Sequence, residues 1–245
     1  MRCTLAIVLA ALALGACQAD RSAAKPTGSA PSVDGAWRQA FGVDKAALSP
    51  TGRSRFVDLT PGTRHIYREG KTTLTITVLD ETRVVDGVTT RVIEEREERN
   101  GQPLEISRNY FAIDQSSGDV YYFGEEVDVF ENGKLSGHPG GWLSGVNGAT
   151  FGLALPGAPR VGDRYYQEVS PGVAMDRGEV VGVDDTVETP FGAFKGCVHV
   201  RETTPLESDV GDKWYAPGVG LVKDDEAVLV SREPPTAMKT PAPRK

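Results

Sequence analysis

Between residues 56 and 232 apolar and polar positions alternate with period two, and no long stretch there carries a helical stripe. Lys71–Asp80 sets Leu74, Ile76 and Val78 on one face and Thr73, Thr75 and Thr77 on the other. β-Branched residues in that alternation predict a half-buried strand. Further strand-like runs follow at Thr90–Glu98, Glu105–Ile113, Val120–Phe123 and Val127–Phe130. Asp86-Gly87, Asn100-Gly101 and Asn132-Gly133 punctuate them. These pairs tolerate the positive φ that tight hairpin turns need. The expected fold is all-β: a mainly antiparallel, hairpin-connected curved sheet, half-barrel or sandwich.

The chain also resembles itself. Leu79-Asp80-Glu81-Thr82 is similar to Val183-Asp184-Asp185-Thr186, about a hundred positions later. Pro103-Leu104-Glu105 returns as Pro205-Leu206-Glu207, and Tyr110-Phe111-Ala112 as Trp214-Tyr215-Ala216. Upstream, Gly62-Thr63-Arg64 is loosely like Gly162-Asp163-Arg164. The order is kept, so two internal repeats are expected over 59–120 and 157–222. A half-sized meander cannot bury its apolar face alone; two copies joined edge to edge or face to face can.

The pattern changes outside this region. Residues 1–16 begin with Arg2, continue through an apolar run from Leu5 to Leu14 and end on small residues. That run is shorter than the ~20 residues of a membrane span and has the layout of a signal peptide. Its end, Leu14-Gly15-Ala16-Cys17, resembles the bacterial lipobox. That resemblance implies a lipoprotein: cleavage before Cys17, lipidation of Cys17 and anchoring in the cell envelope. Gln18 at the next position favours the outer over the inner membrane. Residues 17–55 read as the lipidated cysteine, a flexible tether rich in Ala, Ser, Pro and Gly, and a short helix near 36–48 docked by Trp37, Phe41 and Leu48. The β domain covers 56–232, and Pro-rich 233–245 reads as a disordered tail.

A second resemblance covers about 60–225. Tyr215-Ala216-Pro217-Gly218-Val219-Gly220-Leu221-Val222 looks like a motif of secreted bacterial β-rich proteins and lipoproteins for which no activity is established. It implies a fold and an envelope setting.

Composition narrows the function by exclusion. The 245 residues carry 27 Lys and Arg against 34 Asp and Glu, a net charge of −7, which argues against nucleic acid as a partner. With Cys3 in the signal peptide and Cys17 lipidated, Cys197 remains alone and reads as a small buried residue. His65, His138 and His199 are far apart in sequence, so neither a metal site nor a cofactor is expected. No hydrolase, P-loop or dinucleotide motif occurs, and no catalytic residue is assigned. The densest carboxylates, Glu125-Glu126-Val127-Asp128, Asp184-Asp185 and Asp224-Asp225-Glu226, read as solvated surface charge.

Aromatic and glycine-rich material gathers in the insert 120–157. Tyr122, Phe130 and Trp142 are the candidate ligand-binding residues for a hydrophobic or glycan ligand or an envelope protein partner. The expectation is a non-enzymatic binding or scaffolding module. The alternative is a hydrolase of an envelope polymer that uses paired carboxylates.

Overall fold

The structure is a computed structural model that describes residues 36–234. The signal peptide, Cys17 and the tail from 235 onward lie outside the described residues. Sixteen strands account for most of the described residues. The first seven are β1 (Leu48–Ser49), β2 (Arg64–Glu69), β3 (Thr72–Val85), β4 (Val88–Arg99), β5 (Gln102–Asp114), β6 (Val120–Glu131) and β7 (Lys134–Gly137). Then come β8 (Trp142–Leu143), β9 (Thr150–Leu155), β10 (Arg164–Tyr166), β11 (Glu168–Val169) and β12 (Arg177–Thr189). The last four are β13 (Gly192–Thr203), β14 (Val210–Ala216), β15 (Gly220–Asp224) and β16 (Ala227–Glu233).

The three Asp-Gly and Asn-Gly pairs are tight hairpins, and both residues of each have positive φ, for example 53° at Asn100 and 76° at Gly101. One antiparallel sheet results, in the order β10-β12-β13-β14-β15-β16-β2-β3-β4-β5-β6-β9-β11. The sequential meander β2 to β6 forms one wall and β12 to β16 the other. β16 joins them by pairing with β2.

The sheet curls until its two ends come together. β10 and β11 are separated by Gln167 alone, yet β10 pairs with β12 and β11 pairs with β9. Residues 164–169 therefore span the single seam of a nearly closed barrel. Gly152 on β9 makes that approach possible: a Cβ there would lie 2.4 Å from the Gln167 backbone.

The ends of the barrel differ. Turns 70–71, 100–101, 132–133 and 225–226 share one end, called here the hairpin end. The 50–60 segment covers the other. Leu59 is fully buried against Val78, Ile93, Ile113 and Val120, and Phe56 is buried beside it. Burying a Leu or Phe in this way contributes ~1.5–3 kcal/mol, which fixes the segment as a plug.

Residues 36–48 hold the 3-10 turn Lys45–Ala47 in place of a longer helix. Leu48 is buried, Phe41 packs on the core, and Trp37 meets Tyr166 edge-on at 6.4 Å. The two apolar runs at 120–123 and 127–130 are one continuous strand, β6, bulged at Gly124.

The two regions of internal similarity share a local hydrogen-bond pattern. Gly62 N–H donates to Val78 O, and Val78 N–H donates to Thr63 O, at 2.8 and 2.9 Å. Gly162 N–H donates to Val180 O, and Val180 N–H donates to Asp163 O, at 2.8 and 2.9 Å. The long hairpins β3–β4 and β12–β13 follow these sites, and each is irregular at the matched acidic-Thr segment.

Candidate functional site

The inward face can be read from strand register. Tyr67, Leu74, Glu97 and Glu105 stand in one row across β2 to β5. His65, Ile76, Glu95 and Ser107 form the next. Val78, Ile93, Asn109 and Glu125 form a third row across β3 to β6, closer to the plug. On the opposite wall, Val200 pairs with Lys213 and Lys213 with Asp224.

These rows enclose a cavity of about 210 Å³. Toward the plug it is apolar, with Phe56, Val57, Val78, Ile93, Val120 and Leu155 in its wall. Seven carboxyls line it: Asp58 at the plug, which pairs with Arg53 at 3.0 Å, and six others, Glu95, Glu125, Glu168, Asp176, Glu202 and Asp224. Lys213 is the one Lys or Arg in the wall; it ion-pairs with Glu202 at 2.7 Å and approaches Asp224 at 4.0 Å.

Six carboxyls cannot all ionise beside one ammonium in so little water. Burial pushes Glu125 up to about 8 against the hydrogen bond with Tyr122, with repulsion from Glu105, Glu95 and Asp176 added to it. Glu105, near the hairpin end, is raised to about 8 by burial and by Glu97 and Glu95. Asp224 rises to about 7 through burial despite the attraction of Lys213. Glu168 is raised strongly by burial and by neighbouring Asp176, although the Asp176 backbone N–H donates to it at 2.7 Å. For Lys213 burial works against the charged form, but Asp224 and Glu202 override it and hold the ammonium.

Two acceptors in this wall lack partners. Glu125 Oε2 is buried and makes no hydrogen bond. His65 Nε2 is likewise buried and unpartnered. The Tyr67 hydroxyl donates to the Leu221 carbonyl at 2.9 Å and so accepts from His65 Nδ1 at 3.2 Å. That assigns the proton to Nδ1 and leaves Nε2 as a bare lone pair. Burial, followed by repulsion from Arg232, lowers His65 to about 4, so the ring is neutral.

A bulge determines which residues of β6 face inward. Asn109 pairs with Glu125 and Phe111 with Tyr122, so three steps on β6 match two on β5. Tyr122 and Glu125 then both line the cavity, which strict alternation forbids.

The sequence candidates divide. Tyr122 lines the cavity and donates to Asn109 Oδ1 at 2.7 Å. Trp142 meets Tyr122 edge-on at 5.3 Å and lines an outer groove of about 750 Å³ with Glu126, Asp128 and His138. Phe130 pairs with Leu135 near the 132–133 turn and lines neither space. Cys197 is fully buried. His199 is held between Asp212 at 2.7 Å and Asp185 at 3.5 Å and stacks on Trp214.

The reading of the carboxylate clusters as surface charge needs correction at Glu125 and Asp224, which are buried in the barrel wall. Glu125 sits beside exposed Glu126 because successive residues of a strand face opposite ways, and Asp224 ends β15 beside half-exposed Asp225 in the turn. Glu95 and Glu202 were not singled out in the sequence. On β4 both faces are charged through Glu94-Glu95-Arg96-Glu97-Glu98, so alternation cannot show which face is inside.

Fold and cavity together define a nearly closed antiparallel barrel with an acid-lined interior. No protein-family model and no curated protein matches the chain. Among solved structures it is similar to a crystal structure from Parabacteroides distasonis, provisionally described as a lipoprotein. The identity is 13%, the TM-score 0.37, and the match covers 75% of this chain and 100% of that one. Neither fold nor activity is carried over at that level of likeness.

Proposed function

We propose that the protein is a cell-envelope lipoprotein, anchored through lipid on Cys17, whose barrel is a non-enzymatic module that holds a small ligand with an apolar body. The observation behind the binding reading is the interior cavity, apolar toward the plug and ringed by acceptors at the other end. The outer membrane is the favoured site because Gln18 follows the cysteine.

The alternative, a hydrolase of an envelope polymer, draws support from Glu168 and Asp176, adjacent carboxyls raised by burial. Size weighs against it. The interior has about 210 Å³, room for one ring and a short arm and too little for a polymer strand.

Mass spectrometry of small molecules that copurify with the chain from envelope extract tests the binding reading. A reproducible ligand should accompany the wild type and be lost from Ala154→Leu, which fills the cavity from β9. A wild type that carries nothing from several extracts, and whose melting no extract fraction shifts, counts against it.

A further inference from the structure

Charge and hydrogen-bonding capacity narrow the ligand class. The cavity wall is rich in carboxyls, and several of its neutral donors are already engaged: Tyr67 with Leu221 O, Tyr122 with Asn109 Oδ1, Asn109 with Ser107 Oγ and Gln167 with Glu202. Apart from Asp58, which Arg53 pairs, six carboxyls face one ammonium, Lys213, which Glu202 already engages at 2.7 Å. His65 Nε2 is a buried acceptor that no protein donor reaches, and Glu125 Oε2, also buried and unpartnered, becomes a second one when its carboxyl ionises. Thr63 Oγ1, also buried and unpartnered, can donate or accept.

An anion would add to this imbalance. A neutral hydrocarbon would leave the acceptors unpaired, and each unpaired buried group costs ~1–3 kcal/mol. A bare metal ion needs three or more converging ligands, and among the described residues no such group of His, Cys, Asp or Glu occurs. An organic ammonium supplies both a positive charge and several N–H donors. Its charge-assisted bonds to carboxylates are roughly twice as strong as neutral ones.

Size and polarity gradient specify the rest. An apolar cavity of ~150 Å³ holds benzene; about 210 Å³ leaves room for one ring and a short aminoalkyl arm. The apolar wall at Val78, Ile93 and Val120 lies toward the plug, while Glu202, Lys213 and Asp224 lie toward the hairpin end. Glu125 stands between them, beside Ile93 and Asn109 in its row.

We propose that the barrel interior binds a small amphipathic amine, its apolar body toward the plug and its ammonium hydrogen-bonded to Glu125 and the neighbouring carboxyls. The proposal rests on the reading of the interior as a binding site. Binding is pH-dependent, because the carboxyl that receives the ammonium must be ionised. The groups that face Glu125 are Tyr122 on its own strand, Glu95 on β4, Glu105 on β5, and Glu168 and Asp176 across the seam. With Glu125 at about 8, the affinity for an amine rises between pH 6 and pH 8 and levels off above.

Calorimetry on the full chain in a neutral detergent, with titrations into micelles alone subtracted, tests this. The probes are 2-phenylethylamine and its neutral analogue 2-phenylethanol. The amine should bind about tenfold or more tightly than the alcohol at pH 8, and that margin should shrink by pH 6. Glu125→Gln should remove most of the margin while leaving the alcohol within about twofold. Equal binding of the two probes overturns the amine assignment and leaves the cavity as a binding site. Binding of neither overturns both. Amine binding that Glu125→Gln does not alter moves the ammonium away from Glu125 and overturns the proposal as stated.

Discussion

Tyr122 and Glu125 are three positions apart on one strand, yet both side chains line the barrel interior. Strict alternation would send one of them outward. The bulge between them absorbs the extra residue, and Gly124 makes it possible with a φ of 141°. Glu125 thereby enters a wall it would otherwise face away from, while Glu126 stays exposed and ion-pairs with Arg83.

Gly124→Ala tests that dependence. A Cβ at Gly124 would lie 2.4 Å from the Trp142 carbonyl oxygen and 2.9 Å from Leu143 Cα, both backbone atoms that cannot swing aside. The positive φ adds strain. A loss of about 2–4 kcal/mol is expected in urea unfolding. A loss below about 0.5 kcal/mol would show that the bulge does not need glycine.

The fold class was legible in the sequence because turns and alternation are local. Asp86-Gly87, Asn100-Gly101 and Asn132-Gly133 each state a hairpin in two residues, and each hairpin is present. Barrel closure is different: it depends on Gly152 meeting Gln167, a contact that no period or turn signal records. Tyr122 could be found because aromatics cluster visibly in the insert. Glu95, Glu202 and Asp224 could not, since alternation separates two faces without saying which is enclosed. A hydrophobic-in rule assigns acids outward, and here the polar face of several strands turns inward.

The interior acids make folding stability fall as pH rises. Glu125 ionises at its ordinary 4.5 in the unfolded chain and at about 8 in the barrel. Its protonated form is therefore favoured by folding, and that advantage is lost progressively from about 4.5 to about 8 and is absent above. Glu105 at about 8 and Asp224 at about 7 act in the same direction. Carboxyls such as Glu126, lowered by its hydrogen bond from Arg83, oppose this only at pH below their ordinary range. The melting temperature should fall between pH 5 and pH 8.5, and Glu125→Gln should flatten the decline by raising the value at pH 8.5. A wild-type melting temperature that climbs over that interval would contradict the sign.

Lys213 is the counter-charge to Glu202 and Asp224 in the wall. Lys213→Met removes it and leaves buried Asp224 without a cation, while Glu202 keeps only the hydrogen bond from Gln167. Breaking a buried pair on one side costs about 3–5 kcal/mol. The deficit should be largest above pH 7 and smaller at pH 5, where Asp224, raised to about 7, takes up a proton. Chemical denaturation at the two pH values measures it, and a pH-independent deficit would assign the effect to packing.

The anchor is tested apart from the barrel. Two acyl chains suffice for stable membrane attachment, so replacement of Cys17 by Ser should abolish fatty-acid labelling and release the chain from membrane fractions or leave it uncleaved. Unchanged labelling and fractionation would remove the lipoprotein reading without touching the interior site.

The matched hydrogen bonds at Gly62 and Gly162 make the internal similarity measurable. Each glycine donates at 2.8 Å to a buried valine's carbonyl, and the φ values are 86° and 94°. Gly62 sits where the chain turns into β2, and Gly162 where it turns into β10. Gly62→Ala and Gly162→Ala should then each lose about 1–2 kcal/mol, by the same cause, since alanine is strained at that φ. The sites stand on opposite walls and share no hydrogen-bond partner, so the double variant should lose the sum within about 0.5 kcal/mol. An experimental structure should also superpose residues 61–120 on 161–222 through β3–β5 and β12–β14. If one glycine proves replaceable at no cost while the other does not, and the two segments fail to superpose, the resemblance is a shared turn and not a repeat.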